Sequence, residues 1–213
     1  MRRNATALLA AILALVSSAC SGGQPDRAAV ADSAQGTPVI DPTPTVVLET
    51  NLGNIVLQLD RESAPRTVEN FLRHVEIGFF DGLIFHRVRP GFMVQAGTYT
   101  PEMARRRSSA PPVYNEGDNG LRNLRGTVAM ARTADPHGAT TQFFINLVDN
   151  AGLDYNASRE VPWGYAVFGS VTRGMNVVDS IAKIPTRRRG PNEAVPEEPI
   201  VIVRAFLQED GAN

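Results

Sequence analysis

The apolar positions change rhythm within the first fifty residues of the body. Val46-Val47-Leu48-Glu49-Thr50 and Asn54-Ile55-Val56-Leu57-Gln58-Leu59 are β-prone runs separated by Asn51-Leu52-Gly53. That pattern predicts a hairpin, with glycine free to take the positive φ of the turn. From Ser63-Ala64-Pro65 the period lengthens. Val68, Phe71, Leu72 and Val75 fall on one face of a helix that Gly78 ends, with Ser63 as cap candidate and Pro65 in the first turn. Further strands are predicted over 84–88, 92–95, 127–131, 142–147 and 166–171. A second helix follows over 174–184, with Val177, Val178, Ile181 and Ala182 inward, and residues 199–206 read as a last strand. Many short strands and only two helices predict a mainly β fold, a closed barrel whose open mouths the helices cover.

The N-terminus has a different logic. Met1-Arg2-Arg3 is basic, residues 5–16 form an apolar run, and Ser17-Ser18-Ala19 are small. This is the layout of a secretory signal peptide, and its 12 apolar residues fall short of the roughly 20 that span a bilayer. Residues 1–19 are therefore assigned to export. Cys20, the only cysteine, follows directly, in the manner of a bacterial lipoprotein signal, so it is assigned as a lipidation site anchoring the chain to the membrane. Ordinary cleavage after Ala19 is the alternative. Residues 20–45 are rich in Gly, Pro, Ala and polar side chains without an apolar period, and read as a disordered tether. The folded domain is placed at 46–208 and a short tail at 209–213. The expected location is the cell envelope, outside the cytoplasmic membrane.

Composition narrows the chemistry. Of 213 residues 43% are hydrophobic and 20% charged, with a formal net charge of -1, so a nucleic-acid partner is not expected. A single cysteine leaves no intrachain disulfide and no cysteine-cluster metal site. His74, His86 and His137 lack metal-ligand spacing, and no nucleophile elbow or phosphate-cradling glycine loop is present. No metal or cofactor is therefore expected. The long segment 98–123 is irregular; Arg105-Arg106-Arg107, Glu116 and Asp118 read as solvated loop charges, and Asp135-Pro136 as a turn.

What remains is Phe85-His86-Arg87-Val88-Arg89-Pro90-Gly91-Phe92-Met93-Val94-Gln95-Ala96-Gly97, then 126–132 and Thr141-Gln142-Phe143-Phe144-Ile145-Asn146. Strand alternation puts Arg87 on a face with Phe85 and Arg89, and His86 on the other, where it reads as structural. These segments supply a fixed cation, amides and large apolar groups. Taken singly, Arg87 could be a paired barrel arginine, and Phe92, Met93 and Phe144 ordinary core residues.

Together, Phe-His-Arg-x-x-x-Gly-Phe-Met-x-Gln and Gln-Phe-Phe-Ile, separated by Met130-Ala131-Arg132, resemble the signature of the cyclophilin-type peptidyl-prolyl isomerases. The similarity runs from about Val46 to Phe206. Met130-Ala131-Arg132-Thr133 and Tyr165-Ala166-Val167-Phe168-Gly169 look most like the periplasmic bacterial branch. The resemblance implies an eight-stranded antiparallel barrel capped by two helices, and catalysis of X–Pro rotation in exported, unfolded or partly folded chains. It implies catalytic roles for Arg87, Phe92 and Gln95, with Met93, Phe144 and Leu153 lining the proline pocket. Gln142 contacts the peptide alongside Gln95. Ala131 and Arg132 meet the residue before proline, and Tyr165 stands where many eukaryotic members have histidine. Gly152 replaces a tryptophan that many members use to bind cyclosporin, so weaker inhibition is expected. Ala96 replaces a common glycine.

A monomer is expected. The competing readings are a chaperone or scaffold that grips proline-containing segments without turnover, and a surface adhesion protein. A mere binder would not need the arginine.

Overall fold

The computed structural model describes residues 41–160 and 162–208. The signal segment, Cys20, the tether up to residue 40 and the tail 209–213 lie outside the described residues. The chain runs β1 (Thr45–Thr50), β2 (Gly53–Leu59), α1 (Pro65–Glu76), β3 (Arg87–Arg89), β4 (Met93–Ala96), β5 (Thr127–Met130) and β6 (Phe143–Asn146). A 3-10 turn at Ala151–Leu153 follows, then β7 (Val167–Arg173), α2 (Met175–Ile181), β8 (Thr186–Arg189), β9 (Asn192–Pro196) and β10 (Ile202–Leu207).

The predicted hairpin forms. β1 and β2 pair antiparallel from Thr45↔Gln58 to Thr50↔Gly53, and Gly53 sits at φ 126°, where a side chain would be strained. The Thr50 hydroxyl donates to the Gly53 carbonyl and accepts from the Leu52 amide, which locks the turn. Asp41–Pro44, read as tether, are tied down: the Pro44 and Pro42 carbonyls accept the amides of Leu59 and Arg61.

Eight strands form one curled sheet in the order β10-β1-β2-β7-β5-β6-β4-β3, every pair antiparallel. The expectation of a closed barrel is corrected here: the sheet is an open half-barrel with β10 and β3 as its edges. Between them lie only the isolated bridge Ile84↔Val201 and a few flanking backbone bonds, such as Phe85 N–H to the Ile200 carbonyl at 2.9 Å. The cause is local. β3 is only three residues long, and 84–86 leave strand geometry before they can extend the ladder.

Helix α1 starts at Pro65 as predicted, but Ser63 does not cap it. The Glu116 carboxylate accepts from the amides of Arg66 and Thr67 and from the Thr67 hydroxyl, so a residue read as loop solvation closes the helix from across the fold. Arg106, read as a solvated charge, donates to the carbonyls of Phe79 and Asp81 and lies over the Phe79 ring. The β8–β9 hairpin was not predicted at all: its strands, Thr-Arg-Arg-Arg and Asn-Glu-Ala-Val-Pro, carry no apolar alternation.

The main core packs α1 and α2 against the inner face of the sheet. Phe71 lies at its centre, with ring centroids 5.1 Å from Phe80, 5.3 Å from Phe143 and 5.2 Å from Phe168. Each such side chain contributes about 1.5–3 kcal/mol through removal from water. A second, smaller apolar cluster (Met93, Ala129, Phe144 and Val167) lies on the outer face, and the site is built on it.

Candidate active site

A row of directly paired residues crosses five strands: Arg87↔Gln95, Gln95↔Phe144, Phe144↔Ala129, Ala129↔Val167. Residues paired across adjacent strands point to the same face. The register therefore lines up a cation, an amide and an apolar floor in one direction. That row and its surroundings enclose a cavity of ≈ 260 Å³ lined by Arg87, Phe92, Met93, Gln95, Ala131, Arg132, Phe144, Leu153 and Tyr165. Nine of the ten pocket residues expected from sequence thus meet in one place. The tenth, Gln142, lies at the edge and lines a neighbouring cavity.

The floor is apolar and the rim polar. Met93 is 2% exposed and Phe144 3%, whereas Phe92, Leu153 and Tyr165 are partly exposed. The Tyr165 ring stands edge-on to Phe144 at 5.5 Å. Leu153 comes from the 3-10 turn, which sequence reasoning missed. Its carbonyl accepts the Tyr165 amide, so one short segment sets two walls. Asn150 fixes that turn by donating to the Phe92 carbonyl and to Asn146.

The half-buried Arg87 is held by one hydrogen bond, from Nη1 to Gln95 Oε1 at 3.2 Å. Gln95 in turn donates from Nε2 to Gln142 Oε1 at 2.8 Å. Among the described residues Arg87 forms no ion pair. Burial, and then the like charge of Arg89, lower its pKa from the ordinary guanidinium value. The guanidinium remains protonated at any physiological pH. It is thus a charged donor aimed by an amide and not tied up in an ion pair among the described residues.

Arg132 is committed elsewhere. It donates to the carbonyls of Gly164, Thr133 and Trp163 and lies 4.9 Å from the Tyr165 ring centroid. Its role here is to clamp the wall that carries Tyr165. The Ala131 amide donates to the Gln142 carbonyl. Gly152 is open: a Cβ built there meets nothing within 4 Å.

The alternation reading of this segment is corrected. Phe85 does not share a face with Arg87; it is fully buried in the main core with Val88. His86 is not among the residues lining the site cavity, but it is not on the face opposite Arg87 either: the two line the neighbouring cavity together. The backbone turns between Ile84 and Arg87, outside the ladder, and the period of two does not survive that turn. Burial first, and the Arg87 charge second, push the His86 pKa down to about 4, so this imidazole is neutral near pH 7.

Similarity to known proteins bears on family and fold. The profile of the cyclophilin type peptidyl-prolyl cis-trans isomerase/CLD family matches residues 45–206. The chain is similar to peptidyl-prolyl cis-trans isomerase A of Dickeya dadantii (strain 3937), 52% identical over 162 residues, 76% of this chain and 83% of the relative. It is also similar to peptidyl-prolyl cis-trans isomerase B of Escherichia coli (strain K12), 46% identical over 164 residues, 77% of this chain and 99% of that one. Among solved structures, a cyclophilin type peptidyl-prolyl cis-trans isomerase of Cryptosporidium parvum superposes with a TM-score of 0.65 at 21% identity, covering 79% of this chain and 99% of the other, a likeness of fold.

Proposed function

Because this chain belongs to the cyclophilin-type peptidyl-prolyl cis-trans isomerase family, we propose that it catalyses X–Pro rotation through Arg87, acting above the apolar floor of Met93 and Phe144. The isomerase activity comes with the family; the assignment of roles rests on the site. The observation that carries it is the convergence of a Gln95-oriented guanidinium, without an ion pair among the described residues, and a pocket floored by Met93 and Phe144.

The physical argument starts from the amide. Its C–N bond has partial double-bond character, and the barrier to rotation is about 18–20 kcal/mol. Cis and trans X–Pro differ by only about 0.5–1 kcal/mol, yet exchange in tens to hundreds of seconds. At the top of the barrier resonance is lost, and the proline nitrogen carries a localised lone pair. A donor aimed at that nitrogen favours the twisted amide over both planar forms, and such differential binding lowers the barrier. Arginine fits because it is always charged and its fork of donors is rigid.

Accelerating rotation by about 10⁵ requires about 7 kcal/mol, and one charge-assisted hydrogen bond supplies about 1.5–3. Positioning and exclusion of water account for the rest. Phe92, Met93, Phe144 and Leu153 hold the ring while the acyl side turns. Gln95 and Gln142 fix the donor and offer hydrogen bonds to the peptide backbone. No cofactor or metal enters the scheme.

The test is proline-limited refolding of a reporter protein together with peptide isomerisation. Arg87→Ala should lose about 10- to 100-fold in kcat/KM while retaining peptide affinity. Full activity of that variant would overturn the role of Arg87. Peptide binding by the wild type without turnover would favour the binding-only chaperone.

The sequence features of residues 1–45 support an exported, lipid-anchored isomerase acting on proline-containing unfolded chains outside the cytoplasmic membrane. Labelling with a radioactive fatty acid checks this: label present in the wild type and absent in Cys20→Ala supports acylation at Cys20, and export without label in both overturns it.

A further inference from the structure

Beyond Arg87 the site continues. A second cavity of ≈ 340 Å³ lies on the β3 side, and Arg87 and Gln95 line both cavities. The two cavities therefore adjoin across Arg87 and Gln95. The outer wall is the tip of the β8–β9 hairpin, Pro191 in the turn with Asn192 and Glu193 at the start of β9, and His86 and Gln142 line the cavity as well.

The charge of this cavity is uneven. Arg87 and Arg89 line it against a single carboxylate, Glu193. Glu193 is already shared: one oxygen accepts from Arg89 at 3.3 Å and the other from Arg188. Two lining guanidiniums against one carboxylate, itself shared with Arg188, leave the rim cationic. His86 adds no charge there near neutral pH, because burial and Arg87 hold it unprotonated. The hairpin that carries Glu193 is pinned from behind, where Arg189 donates to the Pro101 carbonyl at 3.1 Å.

We propose that this second cavity is a subsite for an acidic side chain flanking the proline, with Arg89 as the residue that sets the preference. The proposal rests on the isomerase reading above and deepens it. A carboxylate entering from the substrate takes the place beside Arg89 that Glu193 fills only in part. A lysine or arginine at the same point meets Arg87 and Arg89 with one shared counter-charge.

The experiment measures exchange rates by NMR for peptides identical except for Asp, Asn or Lys on either side of the proline. At low salt the Asp peptide should exceed its Asn counterpart in kcat/KM by about three- to fivefold on the side that reaches the cavity, the range of a partly exposed ion pair. High salt should erase the difference. Arg89→Gln should bring the Asp/Asn ratio to about one, Glu193→Gln should raise it, and Arg89→Glu should turn the preference toward Lys. The opposite signs of the Arg89 and Glu193 variants separate a subsite from a general loss of stability. Equal rates for Asp, Asn and Lys on both sides, with the Asn peptide turned over normally, overturn the subsite. Failure to turn over the Asn peptide overturns the isomerase reading instead.

Discussion

Phe143 and Phe144 are neighbours in sequence and almost equally hidden, 0% and 3% exposed, yet they belong to different machines. Phe143 faces inward and stands edge-on to Phe71 and Phe80, at 5.3 and 5.5 Å. Every side of its ring meets protein. Phe144 faces outward into the smaller cluster, where one flank opens on the cavity that Arg87 overlooks. Burial fraction alone does not tell a core residue from a binding residue. What separates them is whether the missing contacts are supplied by the chain or left for a guest.

The largest test of that contrast is truncation of each ring. Phe143→Ala should destabilise by about 3–5 kcal/mol, the cost of deleting an aromatic from a packed core. Phe144→Ala should cost clearly less stability but lower kcat/KM by a larger factor than Phe143→Ala does in whatever fraction stays folded. Denaturant unfolding and peptide isomerisation, run on both variants, check this. Equal stability losses would erase the distinction.

Next in size is the acid response of His86, buried beside Arg87. Its folded pKa of about 4 lies below the ordinary histidine value of 6.5, so the unfolded chain takes up the proton first. Stability contributed by keeping this imidazole neutral is fully present above about pH 6.5 and is lost as pH falls toward 4. His86→Asn should flatten the stability curve over that window. A wild-type curve already flat between those values would refute the assignment.

A smaller effect belongs to the amide relay. Gln142→Ala removes the acceptor that orients Gln95, and through it Arg87. The expected loss in kcat/KM is about three- to tenfold, the size of one hydrogen bond, with little change in melting temperature. Gln142→Glu, which keeps an acceptor at this position, should recover part of the loss.

The smallest effect concerns the rim. Gly152 has open space at its Cβ position and an ordinary φ, so Gly152→Trp should shift stability by no more than about 0.5 kcal/mol. It should extend the apolar wall beside Leu153 and tighten the binding of cyclosporin. Unchanged binding would mean that the wall ends before this turn.

Legibility in the sequence followed the range of the interactions. The β1–β2 hairpin and the apolar face of α1 were readable because their signals are local: a glycine at the turn, and Val68, Phe71, Leu72 and Val75 at helical spacing. The site residues were readable because they sit in short runs around Arg87 and Phe144, and the ladder register brings those runs together. The cap of α1 was not readable, because Glu116 lies 49 residues from Thr67 along the chain. The face of Phe85 and His86 was misread because alternation assumes an unbroken strand. The β8–β9 hairpin escaped notice because its arginines carry no apolar period and it is placed by contacts such as Arg89 with Glu193. Closure of the sheet was overstated because no local pattern records whether the first and last strands of a ladder reach each other.

An unclosed sheet has a consequence of its own, since a free strand edge invites other chains to add to it. Here the edges are blunted. The Ala205 amide on β10 is taken by the Asp81 carboxylate, and the Ile202 carbonyl by the Gly82 amide. The opposite margin is three residues long, and two of them are arginines. An isomerase of proline-containing polypeptides thus offers them little open strand edge on which to add.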